Sequence, residues 1–132
     1  MEGGCHCGVV RYNITGKAIT HALCHCSDCR RHAGAPMMGW LMFREKQLVI
    51  LKGKTKTYQS SEHGRRDFCP NCGTGLFYKN AKTIPGLIDV QSATLDNPNQ
   101  WPALCHIQTA ERLSWMSEAH KLPEFPRYPS QK

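Results

Sequence analysis

The placement of the cysteines constrains this chain more than any other feature. Eight are present in 132 residues, and seven fall into three tight groups: Cys5 with Cys7, Cys24 with Cys26 and Cys29, and Cys69 with Cys72. Thiolates two or three positions apart can grip one tetrahedral metal ion, with Zn–S bonds of about 2.3 Å. The same spacings would suit redox dithiols. No βαβ pattern accompanies them, however, and a disulfide within C-x-C is strained. Clustered cysteines outside an oxidising compartment read as metal ligands.

The segment Cys69-Pro70-Asn71-Cys72-Gly73-Thr74 has the form of a zinc knuckle. Pro70 fixes a turn, and Gly73 permits the positive φ that turns backbone N–H groups toward sulfur. A knuckle supplies two ligands, and Cys5 and Cys7, on the glycine-flanked turn 3–8, offer a matching pair. Four thiolates with no open position predict a structural ion, which would staple the N-terminus to the middle of the chain. The group of Cys24, Cys26 and Cys29 differs, because three ligands plus one open position are the arrangement of a catalytic zinc. His25, Asp28 and His32 lie close enough in sequence to close it, and Cys105 or His106 can arrive from a distant strand. His25 stands between two ligands, so its side chain is expected to point away. Two structural sites, with a hidden fourth ligand at the second, form the competing reading. Cys105 reads as a buried strand thiol, His21, His63 and His120 as surface residues, and Trp40, Trp101 and Trp115 as core or pocket wall.

The rest of the chain reads mostly as strand. Residues 9–14 alternate, with Val10, Tyr12 and Ile14 on one face. Further strands are expected at 39–43, 48–51, 55–59, 75–79, 87–91 and 104–109, a spacing that predicts a β-sandwich-like arrangement. Helix is expected only as a turn at 27–32 and one short helix within 109–120, with Thr109 as cap and Leu113 and Met116 on one face. One domain is expected over 1–132, its residues 121–132 an extended, proline-rich tail. The N-terminus has no basic n-region and no apolar h-region, and the longest apolar stretch, 35–43, contains Pro36 and Gly39. A cytoplasmic protein without a membrane span is therefore expected. Seventeen basic against ten acidic side chains give a net charge of +7. Such a surface attracts nucleic acid, acidic lipid, or small carboxylates and phosphates. The charges are scattered, and aromatics make up only 8%. No basic stripe with interleaved aromatics points to nucleic acid.

These motifs resemble the glutathione-dependent formaldehyde-activating enzyme family, which includes the centromere protein V type of domain. The resemblance is carried by Gly3-Gly4-Cys5-His6-Cys7-Gly8, Val10-Arg11-Tyr12, Cys24-His25-Cys26-Ser27-Asp28-Cys29-Arg30-Arg31 and Gly34-Ala35-Pro36. It continues through Phe68-Cys69-Pro70-Asn71-Cys72-Gly73-Thr74, His106-Ile107, Trp115 and Leu122-Pro123-Glu124-Phe125. The resemblance implies the Mss4-like fold, mainly β, of packed small antiparallel sheets with short helical turns and zinc knuckles. It implies two zinc ions per chain, a structural one on Cys5, Cys7, Cys69 and Cys72 and a reactive one on Cys24, Cys26 and Cys29. It also implies a carbon–sulfur lyase that joins glutathione to formaldehyde as S-hydroxymethylglutathione, with a small thiol and an aldehyde as partners. Within that reading His106 and His25 are candidates for proton transfer, and Arg30 and Arg31 for clamping the carboxylates of glutathione. The alternative is a non-catalytic zinc-stabilised module that binds nucleic acid. Its binding would weaken steeply with salt.

Overall fold

The computed structural model describes residues 1–129. Its chain order is β1 (Glu2–Gly4), β2 (Arg11–Ile14), β3 (Thr20–Cys24), α1 (Ser27–Ala33), β4 (Met38–Arg44), β5 (Leu48–Lys52), β6 (Lys56–Tyr58), β7 (Gly64–Phe68), β8 (Gly75–Asn80), β9 (Leu87–Gln91) and β10 (Cys105–Ile107). These form a three-stranded sheet, β1-β2-β5, and a seven-stranded sheet, β10-β3-β4-β9-β8-β7-β6. Every pairing is antiparallel except that of β10, which runs parallel to β3 with Ile107 opposite Cys24. No helix among the described residues is long and apolar enough to cross a membrane.

The period of two decides the core. Val10, Tyr12 and Ile14 are fully buried, as their alternation predicted. They pack with Leu41, Phe43, Leu76, Phe77, Ile88 and Val90 in one cluster that also contains Cys5 and Cys69. The rings of Tyr12 and Phe77 meet edge to face at 5.2 Å. The buried Tyr12 hydroxyl shares a 2.7 Å hydrogen bond with the hydroxyl of Thr94, so the polar tip of this large side chain is satisfied. A second cluster joins Cys24, Cys29, Met38 and Trp40. It places the three-cysteine loop against the inner strands of the larger sheet.

Strands β2, β4, β5, β6, β8, β9 and β10 fall within a few residues of their expected positions. Strands β1, β3 and β7 were not expected, and each hides its signal. Gly3 and Gly4 lack β-propensity. In β3, His21 and Ala22 are both buried, which breaks the alternation. In β7 the sequence GRRDF looks like a solvated loop, yet Gly64 and Arg66 face inward. His21 is not the surface residue its isolation suggested: it is buried, and its Nδ1–H donates to the Trp101 carbonyl at 2.8 Å. Cys105 departs the other way. It lies on the edge strand β10, paired on one side only, and is exposed.

The expected helix within 109–120 is instead two 3-10 segments, Thr109–Glu111 and Ser114–Lys121, and Gln108 rather than Thr109 precedes the first. Arg112 and Leu113 are extended between them. Glu111 is meanwhile held by Ser27, whose backbone N–H and hydroxyl donate to it at 3.1 and 2.9 Å. Those bonds anchor the segment beside α1. Of the expected tail, Phe125 and Tyr128 are exposed on chain without regular structure, and 130–132 lie outside the described residues.

Candidate metal centres and thiol cavity

Cys5 and Cys7 occupy the connection between β1 and β2, and Cys69 and Cys72 the knuckle between β7 and β8. The fold brings the four sulfurs to within 4.8 Å of one another. The Sγ atoms of Cys5 and Cys7 are 3.6 Å apart, and those of Cys7 and Cys69 are 3.9 Å apart. Tetrahedral Zn–S bonds of about 2.3 Å put sulfurs about 3.8 Å apart, so these residues fit a zinc ion. The surroundings suit thiolates. Val10 N–H donates to Cys5 Sγ at 3.2 Å, the Asn71 side-chain amide to Cys7 Sγ at 3.3 Å, and Asn71 N–H to Cys69 Sγ at 3.4 Å. Gly73 takes φ +83°, the conformation the knuckle requires. Hydrogen bonds from the Thr74 side chain and backbone bring the Cys72 thiol down to about 5.

The second cluster forms where β3 runs into α1. Cys24 ends the strand, and Cys26 is the N-cap, its sulfur accepting from the Cys29 backbone N–H at 3.3 Å. Cys29 then lies one turn into the helix. Capping thus sets the spacing: a C-x-C-x-x-C run gives a strand end, a cap and a first-turn residue whose sulfurs converge. Gly34 closes the helix in the left-handed conformation, with its N–H on the Arg30 carbonyl. The three sulfurs lie within 4.8 Å of one another, and among the described residues no fourth histidine, cysteine or carboxylate ligand atom joins them.

Two neighbours polarise this group. The Trp40 indole N–H donates to Cys29 Sγ at 3.4 Å, and both terminal nitrogens of Arg66 approach that sulfur at 3.7 and 3.8 Å. The Arg66 guanidinium also stacks over the Tyr78 ring at 4.9 Å. Hydrogen bonding from Cys24, then from Trp40, Cys26 and Arg66, brings the Cys29 thiol down to about 5 against the opposing effect of burial. The same Cys24–Cys29 bond pushes Cys24 up, and burial raises Cys26. Without a metal, then, one negative charge settles on Cys29. Three convergent sulfurs, one of them already favouring the thiolate, fit a zinc ion with its fourth position free.

The three cysteines line a cavity of about 290 Å³ together with Trp40, Arg66, Tyr78 and Asp89. Burial and the negative charge at Cys29 push the Asp89 carboxyl up to about 7. Glu111, at the rim, is held below the usual carboxylate range by its bonds from Ser27. Gln108, also at the rim, has φ +56°, a left-handed conformation uncommon outside glycine.

The other residues singled out by sequence lie elsewhere. His106 and His25 are joined, Nδ1 to Nε2, at 2.8 Å. They face a separate hollow with Met37, Arg112 and His120, not the thiol cavity. On β10 it is Ile107 that lines the thiol cavity, so its neighbour His106 points to the opposite face. The expectation that His25 turns away from the sulfurs agrees with this geometry. Arg30 and Arg31 line a shallow hollow with Leu113 and Trp115. Asp28 reaches the thiol cavity, but its carboxylate does not join the ligand set. The charged and aromatic side chains that do border the sulfurs, Arg66, Trp40, Tyr78 and Asp89, come from β4, β7, β8 and β9, far from the motif in sequence.

The profile of the glutathione-dependent formaldehyde-activating enzyme family matches residues 1–111. A Halomonas elongata protein provisionally named for that activity is 25% identical over 125 residues, covering 88% of this chain and 79% of its own. A Schizosaccharomyces pombe protein named as an uncharacterised lyase is 32% identical over 83 residues, 61% of this chain and 60% of its own. A crystal structure of a Rhodobacter sphaeroides protein shares the fold, with a TM-score of 0.65 at 24% identity over 80% of this chain and 99% of that one.

Proposed function

The chain belongs to the glutathione-dependent formaldehyde-activating enzyme family, and on that footing we propose that it is a zinc-dependent carbon–sulfur lyase. Its substrate would be a glutathione adduct of a small aldehyde, such as S-hydroxymethylglutathione. One observation carries the reading: a three-thiol cluster, with no fourth ligand among the described residues, opens onto a cavity lined by a guanidinium, an indole N–H and a carboxyl. Four thiolates, on Cys5, Cys7, Cys69 and Cys72, would close around one ion and leave no position for substrate. Bound by Cys24, Cys26 and Cys29, a second zinc ion would supply a site that holds an incoming thiol as thiolate near neutral pH.

The chain's own residues account for the rest. Arg66 and Trp40 place positive charge and a hydrogen-bond donor beside the sulfurs, which favours a second anionic sulfur in the cavity. The thiolate attacks the aldehyde carbon, a C–S bond forms, and the carbonyl π pair moves onto oxygen, which then takes a proton. Cleavage runs the same steps backwards. Of the carboxyls that line the cavity, Asp89 is half-buried among Trp40, Arg66 and Tyr78, favours its protonated form, and is placed to hold and return that proton. It takes over the role that sequence alone offered to His106 and His25.

Cobalt substitution tests the proposal, because cobalt–thiolate absorption changes with the number of sulfur ligands. Glutathione is expected to shift that absorption in the wild type, also in high salt. S-methylglutathione, which has no free thiol, is expected not to. An unchanged spectrum at millimolar glutathione would overturn direct thiol ligation and leave a different substrate, Lewis-acid activation of the carbonyl alone, or the binding-module alternative.

A further inference from the structure

We propose that the outer edge of β5 (Leu48–Lys52) docks an extended segment of a partner protein, apolar in its middle and acidic at its ends, as a fourth strand of the smaller sheet. β5 is the last strand of that sheet and pairs with β2 alone. Alternate residues of such a strand aim both N–H and C=O away from the sheet. Among the described residues no other backbone group meets those of residues 49–52. The side chains are apolar on both faces of the strand. Val49, Ile50 and Leu51 are 56, 41 and 54% exposed. A sheet with one wet face ordinarily alternates apolar with polar. Three consecutive exposed aliphatics on an unpaired edge instead make a template for strand addition.

Charge identifies the occupant. Lys46 precedes the apolar run, Lys52, Lys54 and Lys56 follow it, and all four are exposed. No acidic residue occurs from 46 to 61. Glu45, just before that stretch, is held by Lys79 at 3.3 Å. None of the four lysines is in an ion pair among the described residues. A second copy of this chain meets the wrong charge. Two β5 strands paired antiparallel about Ile50 would bring Lys54 of each toward Lys46 of the other, and like charges set opposite repel. A strand with acidic ends meets the same lysines favourably. An anionic lipid surface would attract them too, but insertion would carry the unpaired backbone groups of the edge into hydrocarbon, where each is costly. Nucleic-acid bases stack on aromatic rings, and the residues between Lys46 and Lys52 include none.

The test uses the purified full chain, amide chemical shifts and a synthetic peptide, acetyl-Glu-Val-Thr-Val-Thr-Val-Glu-amide. The peptide is expected to give saturating shifts confined to residues 46–54 at millimolar concentration or below, and to slow hydrogen exchange at alternate amides of β5. The same peptide with lysines in place of its glutamates is expected to bind about tenfold or more weakly. A form N-methylated along its backbone is expected not to bind, because it has lost the main-chain donors. In the double variant Lys52→Glu, Lys54→Glu the preference should reverse, with lysine ends favoured over glutamate ends. Leu51→Thr, a change at a half-exposed side chain, should weaken the glutamate-ended peptide. Equal affinity for the two peptides, saturation by the N-methylated form, or no shifts at millimolar concentration would overturn the inference. Two further results would overturn it in favour of another occupant. One is a dimer in sedimentation equilibrium that Leu51→Lys dissolves. The other is a shift of Val49, Ile50 and Leu51 by vesicles of phosphatidylcholine with phosphatidylserine that the peptide does not reproduce.

Discussion

The two cysteine clusters should respond unequally to the loss of one ligand, and the inequality follows from the lengths of chain they close. Cys7 and Cys69 are 62 residues apart. Closing a loop of that length removes about 4 kcal/mol of entropy from the unfolded chain. Cys24 and Cys29 close six residues, worth about 2 kcal/mol on the same scale. Cys72→Ser removes one of four ligands, and loss of the ion that follows opens the Cys7–Cys69 loop and leaves Cys5 and Cys69 unligated in the core. Against a typical total stability of about 5–15 kcal/mol, a loss of about 4 kcal/mol is large. At roughly 4 °C per kcal/mol it lowers Tm by roughly 15 °C. Cys26→Ser is milder, because serine still caps α1 in place of the Cys26 sulfur. Thermal melting by circular dichroism, run beside zinc counts, makes the comparison. Wild type should hold close to two zinc ions per chain. Cys26→Ser should keep one and melt only slightly earlier, and Cys72→Ser should melt far earlier. Equal losses of Tm would refute the reasoning and make the second site structural too.

The remaining predictions concern proton-handling groups. His106→Asn breaks the 2.8 Å bond to His25 and is expected to lower stability by about 1 kcal/mol while turnover with glutathione and formaldehyde stays near wild type; a hundredfold fall in kcat would restore His106 to the chemistry. For Asp89, raised from 3.8 to about 7 in the folded protein, the folded state keeps its proton where the unfolded state has lost it. Its stabilising contribution is therefore complete below about pH 4 and is lost as pH rises through 7. Asp89→Asn should thus be the more stable protein in alkaline solution, by at most about 4 kcal/mol, being about three units at 1.4 kcal/mol each. Urea unfolding at about pH 6 and pH 8 should show the gap widening by about 1 kcal/mol. Three thiolates and one zinc ion carry the same net charge as the lone Cys29 thiolate, so the direction survives metal loading. A gap that narrows with pH would contradict it.

What the sequence could reveal depended on whether a residue's role was local. The knuckle was legible because Pro70, Gly73 and the two sulfurs act within six positions, and the observed φ of Gly73 is the one the motif demands. The core face of β2 was legible because its alternation is unbroken. Arg66 was not legible. In Gly64-Arg65-Arg66-Asp67-Phe68 it reads as one charge among several, and only the position of β7 in the sheet directs it at Cys29. Its one local signal was the period of two shared with Gly64. Arg30 and Arg31 follow Cys29 directly, but each helical residue rotates by about 100° from the last, so they border the hollows beside the sulfurs and not the thiol cavity itself. His106 is turned from the thiol cavity by strand alternation, since one step along β10 exchanges the thiol face for the face that meets His25.

The same distinction between local and long-range ligands favours the proposal that one cluster alone does chemistry. Cys5 and Cys7 come from the connection that leads into the smaller sheet, and Cys69 and Cys72 from a turn of the larger one. Cys5 and Cys69 are themselves part of the main core. On the proposed reading all four sulfurs would hold one ion between the two sheets, and a ligand that traded places with substrate would loosen that join. The three sulfurs of the second cluster come from one strand end and one helical turn, whose geometry is already fixed by capping and by the β3–β4 pairing. No sheet would depend on a fourth bond to an ion held there. On the proposed reading that ion could exchange its remaining ligand without unfolding the chain, beside the cavity lined by Arg66, Trp40 and Asp89.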